Sequence, residues 1–417
     1  MSKITKYPFA QLYDMASGIS STKEQAGHGS PFVSFSTVFN NYFLPDTLPD
    51  LMDTSLKEQE IYSIKKGDIL ITRTSETIDE LAMSCVAAKD YPCATYSGFT
   101  KRLRPKTAGM AYHKYLAFYL RSELFRKAVT NNAFMTLRAS FNEDIFSFLN
   151  LYLPEYKEQV KIGDMLYSME QKIQINMRIC TELESMAKTL YDYWFTQFDF
   201  PDENGKPYRS SGGDMVWNDQ LKRKIPKGWS NCKLKDYANS VTRSTSPGEH
   251  LRDLFYTPID EIPKRQMSFW GGLSYTEAKS SLQLYQENDI LIGAMRVYFH
   301  RVCIAAQRGI TRSTTMVLQA RNTEDLAFIY ELFNHDQTIQ YANKISVGTQ
   351  QPYVNWDDAL DSMDVIAPEH SVIVAFCKHM DPIIEKVKCL VQENYELIKL
   401  RDWLLPMLMN GQAVVSD

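Results

Sequence analysis

Apolar residues recur with alternating gaps of three and four along two long stretches of this 417-residue chain. The first series is Leu166, Met169, Ile173, Asn176, Cys180, Leu183, Ala187, Leu190 and Trp194. The second series is Met380, Ile383, Val387, Leu390, Asn394, Leu397, Arg401, Leu404 and Leu408, each 214 positions after its counterpart. Because this is the heptad spacing of a coiled-coil seam, the pattern predicts two long helices that repeat one another.

Each predicted helix needs a partner, because a single helix of this length would leave its apolar stripe in water. We expect the two helices to pack on each other, since the pattern runs through both copies. The asparagines of the two seams, Asn176 and Asn394, lower stability when buried but can fix the register of a helix pair. The alternative is that each helix packs only on its own half of the chain.

The segments before the two helices also correspond. Asp144, Pro154 and Glu155 match Asp358, Pro368 and Glu369 at the same offset of 214. Further upstream, "KKGDILITRT" (65–74) matches "QENDILIGAM" (286–295), with Asp68 opposite Asp289. Both segments predict a polar turn followed by a buried strand. Strand-like and helix-like stretches follow in the same order, so each half is predicted to be a mixed α/β globule followed by a long helix.

These patterns divide the chain into four parts: 1–153, the first globule; 154–200, the first long helix; 201–367, a linker and the second globule; and 368–417, the second long helix and tail. The aromatic stretch Tyr191–Phe200 and the Gly/Ser-rich segment after it lie at the junction. Pro201 is expected to end any remaining helix, and the segment after it to act as a flexible connection.

Composition indicates a folded protein of the cytoplasm. Hydrophobic residues make up 44% and charged residues 23% of the chain, with no secretory signal and no membrane-spanning apolar run. The seven cysteines show no CxxC pair, so we expect reduced thiols and no bound metal.

Charge is distributed unevenly although the net charge is only −4. Residues 91–122 contain six basic side chains and no acid, and residues 290–320 contain four arginines and no acid. Such patches can neutralise phosphates. The alternative is that they are solvated faces of strands and loops.

Two polar loops precede the long helices at equivalent places. In "VGTQQPYVNW" (347–356), Gly348 permits an unusual turn, and Thr349, Gln350 and Gln351 follow it. The corresponding stretch "FMTLRASFNE" (134–143) contains Arg138. Glutamine can recognise adenine and arginine can recognise guanine in the major groove. The alternative is that each loop only caps the element after it.

Motifs of catalysis are missing from the sequence. We find no phosphate-binding GxxxxGK[ST], no GxGxxG, no [DN]PP[YFW], no HExxH and no GxSxG. We therefore expect no catalytic residues in this chain.

Three segments resemble the specificity subunits of type I restriction–modification systems. They are "LPEYKEQ" (153–159), "LYDYWFTQFDFPDENGKPYRSSGG" (190–213) and "IPKGW" (225–229). The resemblance extends over essentially the whole chain. Two departures are that "IAPEHSVIVAF" stands where the family has a second LPP-type helix start, and that the first globule lacks an IPxGW start.

The resemblance implies an α+β fold with a pseudo-twofold internal repeat. Two α/β target-recognition domains would be joined by two long helices that form an antiparallel coiled coil. Each domain would recognise one half of a bipartite site in double-stranded DNA. The helices would set the spacing between the half-sites and dock two methyltransferase subunits, which the aromatic residues at the junction could also face.

The resemblance also implies a non-catalytic, DNA-binding subunit of an adenine methyltransferase/endonuclease complex. S-adenosylmethionine, ATP and Mg are then expected on the methyltransferase and restriction subunits, with no cofactor in this chain. The alternative is an interaction scaffold built on paired helices that does not recognise DNA sequence.

Candidate DNA-binding residues come mainly from the two acid-free patches and the two polar loops. They are Arg73, Lys101, Arg102, Arg104 and Arg138 in the first domain, and Arg243, Arg296, Arg301, Arg308, Arg312, Gln350 and Gln351 in the second.

Overall fold

The computed structural model describes residues 4–132 and 139–415. The chain forms two compact units. The first comprises Met1–Lys172 together with Ile398–Asp417, and the second comprises Ile173–Leu397. Both boundaries fall inside a long helix, so each helix contributes residues to both units.

The first unit contains an α/β domain that precedes the first long helix. The strands are β1 Thr5–Pro8, β2 Tyr13–Ser17, β3 Ala26–Val33, β4 Asp50–Met52, β5 Ile69–Thr72, β6 Thr74–Ser75, β7 Ser84–Val86, β8 Thr95–Tyr96, β9 Thr100–Pro105, β10 Ala139–Ser140 and β11 Asn150–Leu153. The helices are α1 Phe9–Leu12, α2 Phe35–Asn40, α3 Leu56–Ile61, α4 His113–Tyr119, α5 Glu123–Asn132, α6 Glu143–Phe148 and the long α7 Tyr156–Tyr191.

The central sheet of this first domain has the order β2-β9-β5-β7, and a second sheet has the order β4-β3-β8. Strand β5 is buried on both faces, with Ile69 and Ile71 in one apolar cluster and Leu70 in another. This explains why "ILIT" is continuously apolar rather than alternating. Strand β1 pairs with β11 and thereby joins the start of the domain to its end.

The second unit also contains an α/β domain. The strands are β12 Met215–Asn218, β13 Arg223–Pro226, β14 Ser230–Lys233, β15 Ala238–Ser240, β16 Ser244–Thr245, β17 Phe255–Tyr256, β18 Ser268–Phe269, β19 Leu282–Tyr285, β20 Ile290–Gly293, β21 Val302–Ala305, β22 Gly309–Arg312, β23 Thr315–Ala320 and β24 Asp364–Ala367. The helices are α8 Leu326–Asn334, α9 Asp336–Ile345 and the long α10 His370–Met409.

The sheet order β15-β23-β20-β21-β18 repeats that of the first domain with one strand added. The pairing of β14 with β24 repeats that of β1 with β11. The predicted internal repeat is therefore confirmed at the level of topology. In each domain, the stretch that the sequence predicts as one helix forms two. These are α4 and α5 in the first domain and α8 and α9 in the second.

The two long helices pair within each unit. In the second unit, Asn176 of α7 donates to Asn394 of α10 over 2.9 Å, and Trp194 contacts Phe376 with ring centroids 5.7 Å apart. As the residue number rises in α7 it falls in α10, so the pairing is antiparallel, as predicted. All the named seam residues are buried or half-buried.

In the first unit, the start of α7 pairs with the end of α10. Arg401, a charged residue at a seam position, donates to Glu170 over 2.8 Å, and both side chains are about nine-tenths buried. The guanidinium also lies 4.9 Å from the centroid of the Tyr42 ring. A buried arginine is tolerated here because its charge is paired and hydrogen bonded.

The aromatic stretch after α7 packs onto the second domain. Phe195 contacts Phe328 of α8, with ring centroids 4.8 Å apart. Phe198 and Phe200 both contact Trp229 of the "IPKGW" segment, and Phe200 is stacked on that ring at 5.0 Å. Phe195, Phe198 and Phe200 are thus buried against the second domain, whereas Tyr193 is exposed.

Candidate nucleic-acid interface

In the first domain, three chain segments meet where the central strand β5 ends. The backbone N–H of Arg73 donates to the carbonyl of Phe99 over 2.8 Å, and the carbonyl of Arg73 accepts from Phe141 over 2.7 Å. The side chains of Arg73 and Phe99 are both exposed. This end of the sheet therefore presents a cation and an aromatic ring to solvent.

Lys101 belongs to the same edge of the sheet. Its ammonium donates to the hydroxyl of Ser17 over 2.8 Å. Partial burial lowers the pKa of Lys101, and the charge of Arg73 lowers it further, while Glu143 opposes the shift. A lysine whose charged form is disfavoured by burial and by a neighbouring cation gains stability when an anion such as a phosphate approaches.

The second domain repeats this backbone arrangement with other side chains. The N–H of Ala294 donates to the carbonyl of Thr314 over 2.9 Å, and the carbonyl of Ala294 accepts from Val354 over 3.1 Å. Ala294 and Thr314 thus occupy the places of Arg73 and Phe99. The scaffold is shared, but the two residues exposed at this end of the first domain have small counterparts in the second.

The predicted loop of the second domain is closed at its base. Val347 and Tyr353 exchange backbone hydrogen bonds of 2.8 and 2.9 Å. Gly348 has φ of +99°, a conformation that other residues rarely adopt. The exposed residues Thr349, Gln350 and Gln351 follow it at the tip of the loop.

Arg296 lies against the same loop. Its N–H donates to the carbonyl of Pro352 over 2.7 Å, and its guanidinium donates to the carbonyl of Gln350 over 3.4 Å. Its φ of +51° is unusual for a residue with a side chain and marks a constrained backbone. The structure therefore brings together three of the predicted residues, Arg296, Gln350 and Gln351.

Four other predicted arginines have their guanidinium groups bonded inside the domains. Arg102 donates to the carbonyl of Ser63, and Arg104 forms two hydrogen bonds with the buried carboxylate of Asp68. Arg243 donates to the buried Asp289 over 2.6 Å, and Arg301 donates to the carbonyl of Ile262. A DNA contact by these four would compete with bonds that hold the fold together.

The remaining predicted residues lie elsewhere. Arg308 directly precedes strand β22 and Arg312 is its last residue; both are exposed, and β22 belongs to the second sheet of the second domain. Arg138 lies outside the described residues. Sequence reasoning missed Phe99 and the exposed Tyr298, two residues after Arg296, because it searched for charged and amide side chains.

Within residues 4–132 and 139–415, no group of His, Cys, Asp and Glu side chains is arranged to hold a metal ion. Over the same residues, no helix combines the length and the apolar character needed to cross a bilayer. None of the seven cysteines, all of which lie in these ranges, forms a disulfide.

Comparisons with known proteins agree on one family. The model of the type I restriction modification DNA specificity domain matches residues 11–185. The chain is 24% identical over 382 residues to the type I restriction enzyme MjaIX specificity subunit of Methanocaldococcus jannaschii, covering 88% of this chain and 82% of that protein. It is 22% identical over 438 residues to the HindI specificity subunit of Haemophilus influenzae, covering 91% and 94%.

Among solved structures, the chain is similar to the type I restriction-modification S subunit from M. genitalium. The TM-score is 0.61 at 13% identity, and the match covers 98% of this chain and 96% of that one. At this identity the likeness concerns the fold.

Proposed function

We propose that this chain, which belongs to the specificity subunits of type I restriction–modification systems, recognises a bipartite DNA site with one domain on each half. This proposal is supported mainly by one observation: the two domains share a backbone arrangement but expose different side chains on it. The same hydrogen bonds close the end of the central strand in both domains, around Arg73 and around Ala294. Recognition of two different sequences requires different side chains on a common frame.

In the first domain we propose that Arg73 and Lys101 contact the DNA. In the second we propose Arg296, Gln350 and Gln351 for base contacts, since the amide of glutamine suits adenine and the guanidinium of arginine suits guanine. Arg308 and Arg312 are proposed as phosphate contacts. Arg102, Arg104, Arg243 and Arg301 are proposed to support the domains, because their guanidinium groups are bonded within them.

The chain itself is proposed to be non-catalytic and to act in the cytoplasm. Two methyltransferase subunits would dock on the paired helices and bind S-adenosylmethionine. Restriction subunits would use ATP and Mg. The lack of catalytic motifs in the sequence supports this division, which otherwise rests on family membership. The scaffold without sequence recognition is not favoured by the relatives, all of which are named specificity subunits.

Methylation mapping by long-read sequencing tests the proposal in cells carrying the complete system. Arg73→Ala should relax one position of the first half-site, and Arg296→Ala one position of the second, at a cost of about 1–3 kcal/mol each. Arg209→Ala, at an exposed arginine of the linker, is the control and should leave the motif unchanged. If neither substitution at the two domains changes the methylated sequence, the assignment of these residues is wrong.

A further inference from the structure

Phe99 belongs to a hydrogen-bonded turn, and its side chain is 66% exposed. It lies in the turn Ser97–Thr100, where the N–H of Thr100 donates to the carbonyl of Ser97 over 2.9 Å. The hydroxyl of Thr100 donates to the same carbonyl over 2.7 Å, and the N–H of Phe99 donates to the hydroxyl of Ser97 over 3.2 Å. Ser97 and Thr100 are themselves buried. The ring is therefore presented by a fixed turn.

The strand register places this ring beside two cations. Strands β5 and β9 pair antiparallel, with Ile71 opposite Lys101 and Thr72 opposite Thr100, and the bond from Arg73 to Phe99 continues the ladder. Residues directly opposite each other project on the same face, with Cβ atoms about 5 Å apart. Lys101 follows Phe99 by two residues and so projects on that face as well.

An exposed aromatic residue alone needs no explanation. Here, however, the ring shares one face of the sheet with Arg73 and Lys101, at the end of the strand where we propose DNA contact. The apolar group that B-DNA offers in its major groove is the 5-methyl group of thymine, and phenylalanine is one of the side chains that contact it. Arginine and lysine on the same face fit the neighbouring guanine edge and phosphates.

We infer that Phe99 recognises the 5-methyl group of a thymine in the half-site bound by the first domain, an inference that rests on the proposed function. The second domain has Thr314 at the equivalent place. The inference concerns only the half-site that the first domain binds. This methyl group can be removed from the DNA without altering base pairing, by replacing thymine with uracil.

The test uses the methyltransferase complex assembled with the full chain and duplexes carrying its mapped motif. Each thymine of either strand is replaced in turn by uracil, and affinity is measured by fluorescence anisotropy. For the wild type, one uracil in the first half-site should weaken binding about fourfold, the value expected for the burial of one methyl group. Phe99→Ala should bind the thymine and uracil duplexes equally, and less tightly than the wild type binds thymine.

Phe148→Ala is the matched control, because Phe148 is 70% exposed in the same domain but lies at the end of α6. It should keep the wild-type discrimination between thymine and uracil. Thermal unfolding of both variants checks that the domain is intact. We expect both to be as stable as the wild type, because both rings are exposed.

Two results would overturn the inference. One is a wild type that binds every uracil duplex like thymine; if Phe99→Ala nevertheless binds less tightly, the ring stacks between bases instead. The other is a Phe99→Ala variant that still discriminates between thymine and uracil. A wild-type complex with no preference for its methylated motif would instead refute the proposed function, and this inference with it.

Discussion

At the scale of single residues, arginines of two neighbouring strand segments have unlike environments. Arg104 makes two hydrogen bonds to Asp68, whose carboxylate is almost wholly buried. Arg73 is exposed at the end of the adjacent strand. The equivalent acid of the second domain, Asp289, is also buried, but its partner Arg243 lies between strands β15 and β16, whereas Arg104 belongs to β9. Charge counting along the sequence cannot separate such roles.

We predict that Arg104→Ala destabilises the protein and that Arg73→Ala does not. Removing Arg104 leaves a buried carboxylate without its cation, at a cost of about 3 kcal/mol. Arg73→Ala should leave the free energy of unfolding within about 0.5 kcal/mol while weakening DNA binding. Urea denaturation and DNA titration of both variants measure the difference. A stable Arg104→Ala variant with reduced DNA affinity would reverse the two assignments.

Glu331 gives a prediction about pH. Burial raises the pKa of its carboxyl to about 8, with a hydrogen bond to Asn334 opposing the shift. The folded state thus holds the proton more tightly than the unfolded state, in which the pKa is 4.5. The contribution to stability is complete below pH 4.5 and is lost as pH rises towards 8.

Glu331→Gln, which keeps the shape and removes the titration, should therefore raise the melting temperature at pH 8 much more than at pH 5. Thermal unfolding at the two pH values measures this. Glu324→Gln, at an exposed acid just before α8, should show no such difference. An equal shift at both pH values would indicate that Glu331 does not titrate over this range in the folded protein.

At the scale of elements, the paired asparagines distinguish the right helix partner from wrong ones. The repeat offset of 214 makes Leu390 the counterpart of Asn176 and Cys180 the counterpart of Asn394. A pairing of α7 with a second α7 in the equivalent register would place Asn176 opposite Cys180. A pairing of two α10 helices would place Asn394 opposite Leu390. Only the pairing of α7 with α10 joins the two amides, so the pair specifies that arrangement.

Replacing one asparagine by leucine should destabilise the protein, and replacing both should not. Asn176→Leu leaves the amide of Asn394, which also donates to the carbonyl of Ile173, without its partner in the seam. A buried unsatisfied group costs about 1–3 kcal/mol, whereas removal of both partners is nearly neutral. A double-mutant cycle on the free energy of unfolding measures the coupling. Additive effects of the two substitutions would show that the amides do not depend on each other.

The sequence predicted the features that repeat. The seam, the counterparts Asp68 and Asp289 and the antiparallel helices follow from periodicity and from one offset. The break between α4 and α5 was not predicted, because it depends on the side chain of Arg121, which turns inward to the carbonyls of Ser84, Val38, Phe39 and Asn41. Phe99 was missed for a similar reason: its place beside Arg73 arises from strand pairing across 26 residues.

At the scale of the whole molecule, the division into units locates where the chain can be lengthened. The boundaries are Lys172/Ile173 in α7 and Leu397/Ile398 in α10. The bond between Asn176 and Asn394 lies in one unit, and the ion pair between Glu170 and Arg401 in the other. An insertion at both boundaries therefore keeps the contacts described within each unit.

We predict that one heptad inserted at each boundary lengthens the gap between the half-sites and leaves both half-sites unchanged. Seven residues preserve the phase of the seam and add roughly 10 Å to a helix, which corresponds to about three base pairs of DNA. Methylation mapping reports the gap and both half-sites at once. Two inserted residues, which rotate the seam by about half a turn, are the control and should impair stability. If the heptad variant folds and methylates with the original gap, the helices do not set the spacing, and the distance between half-sites must be determined by the partner subunits.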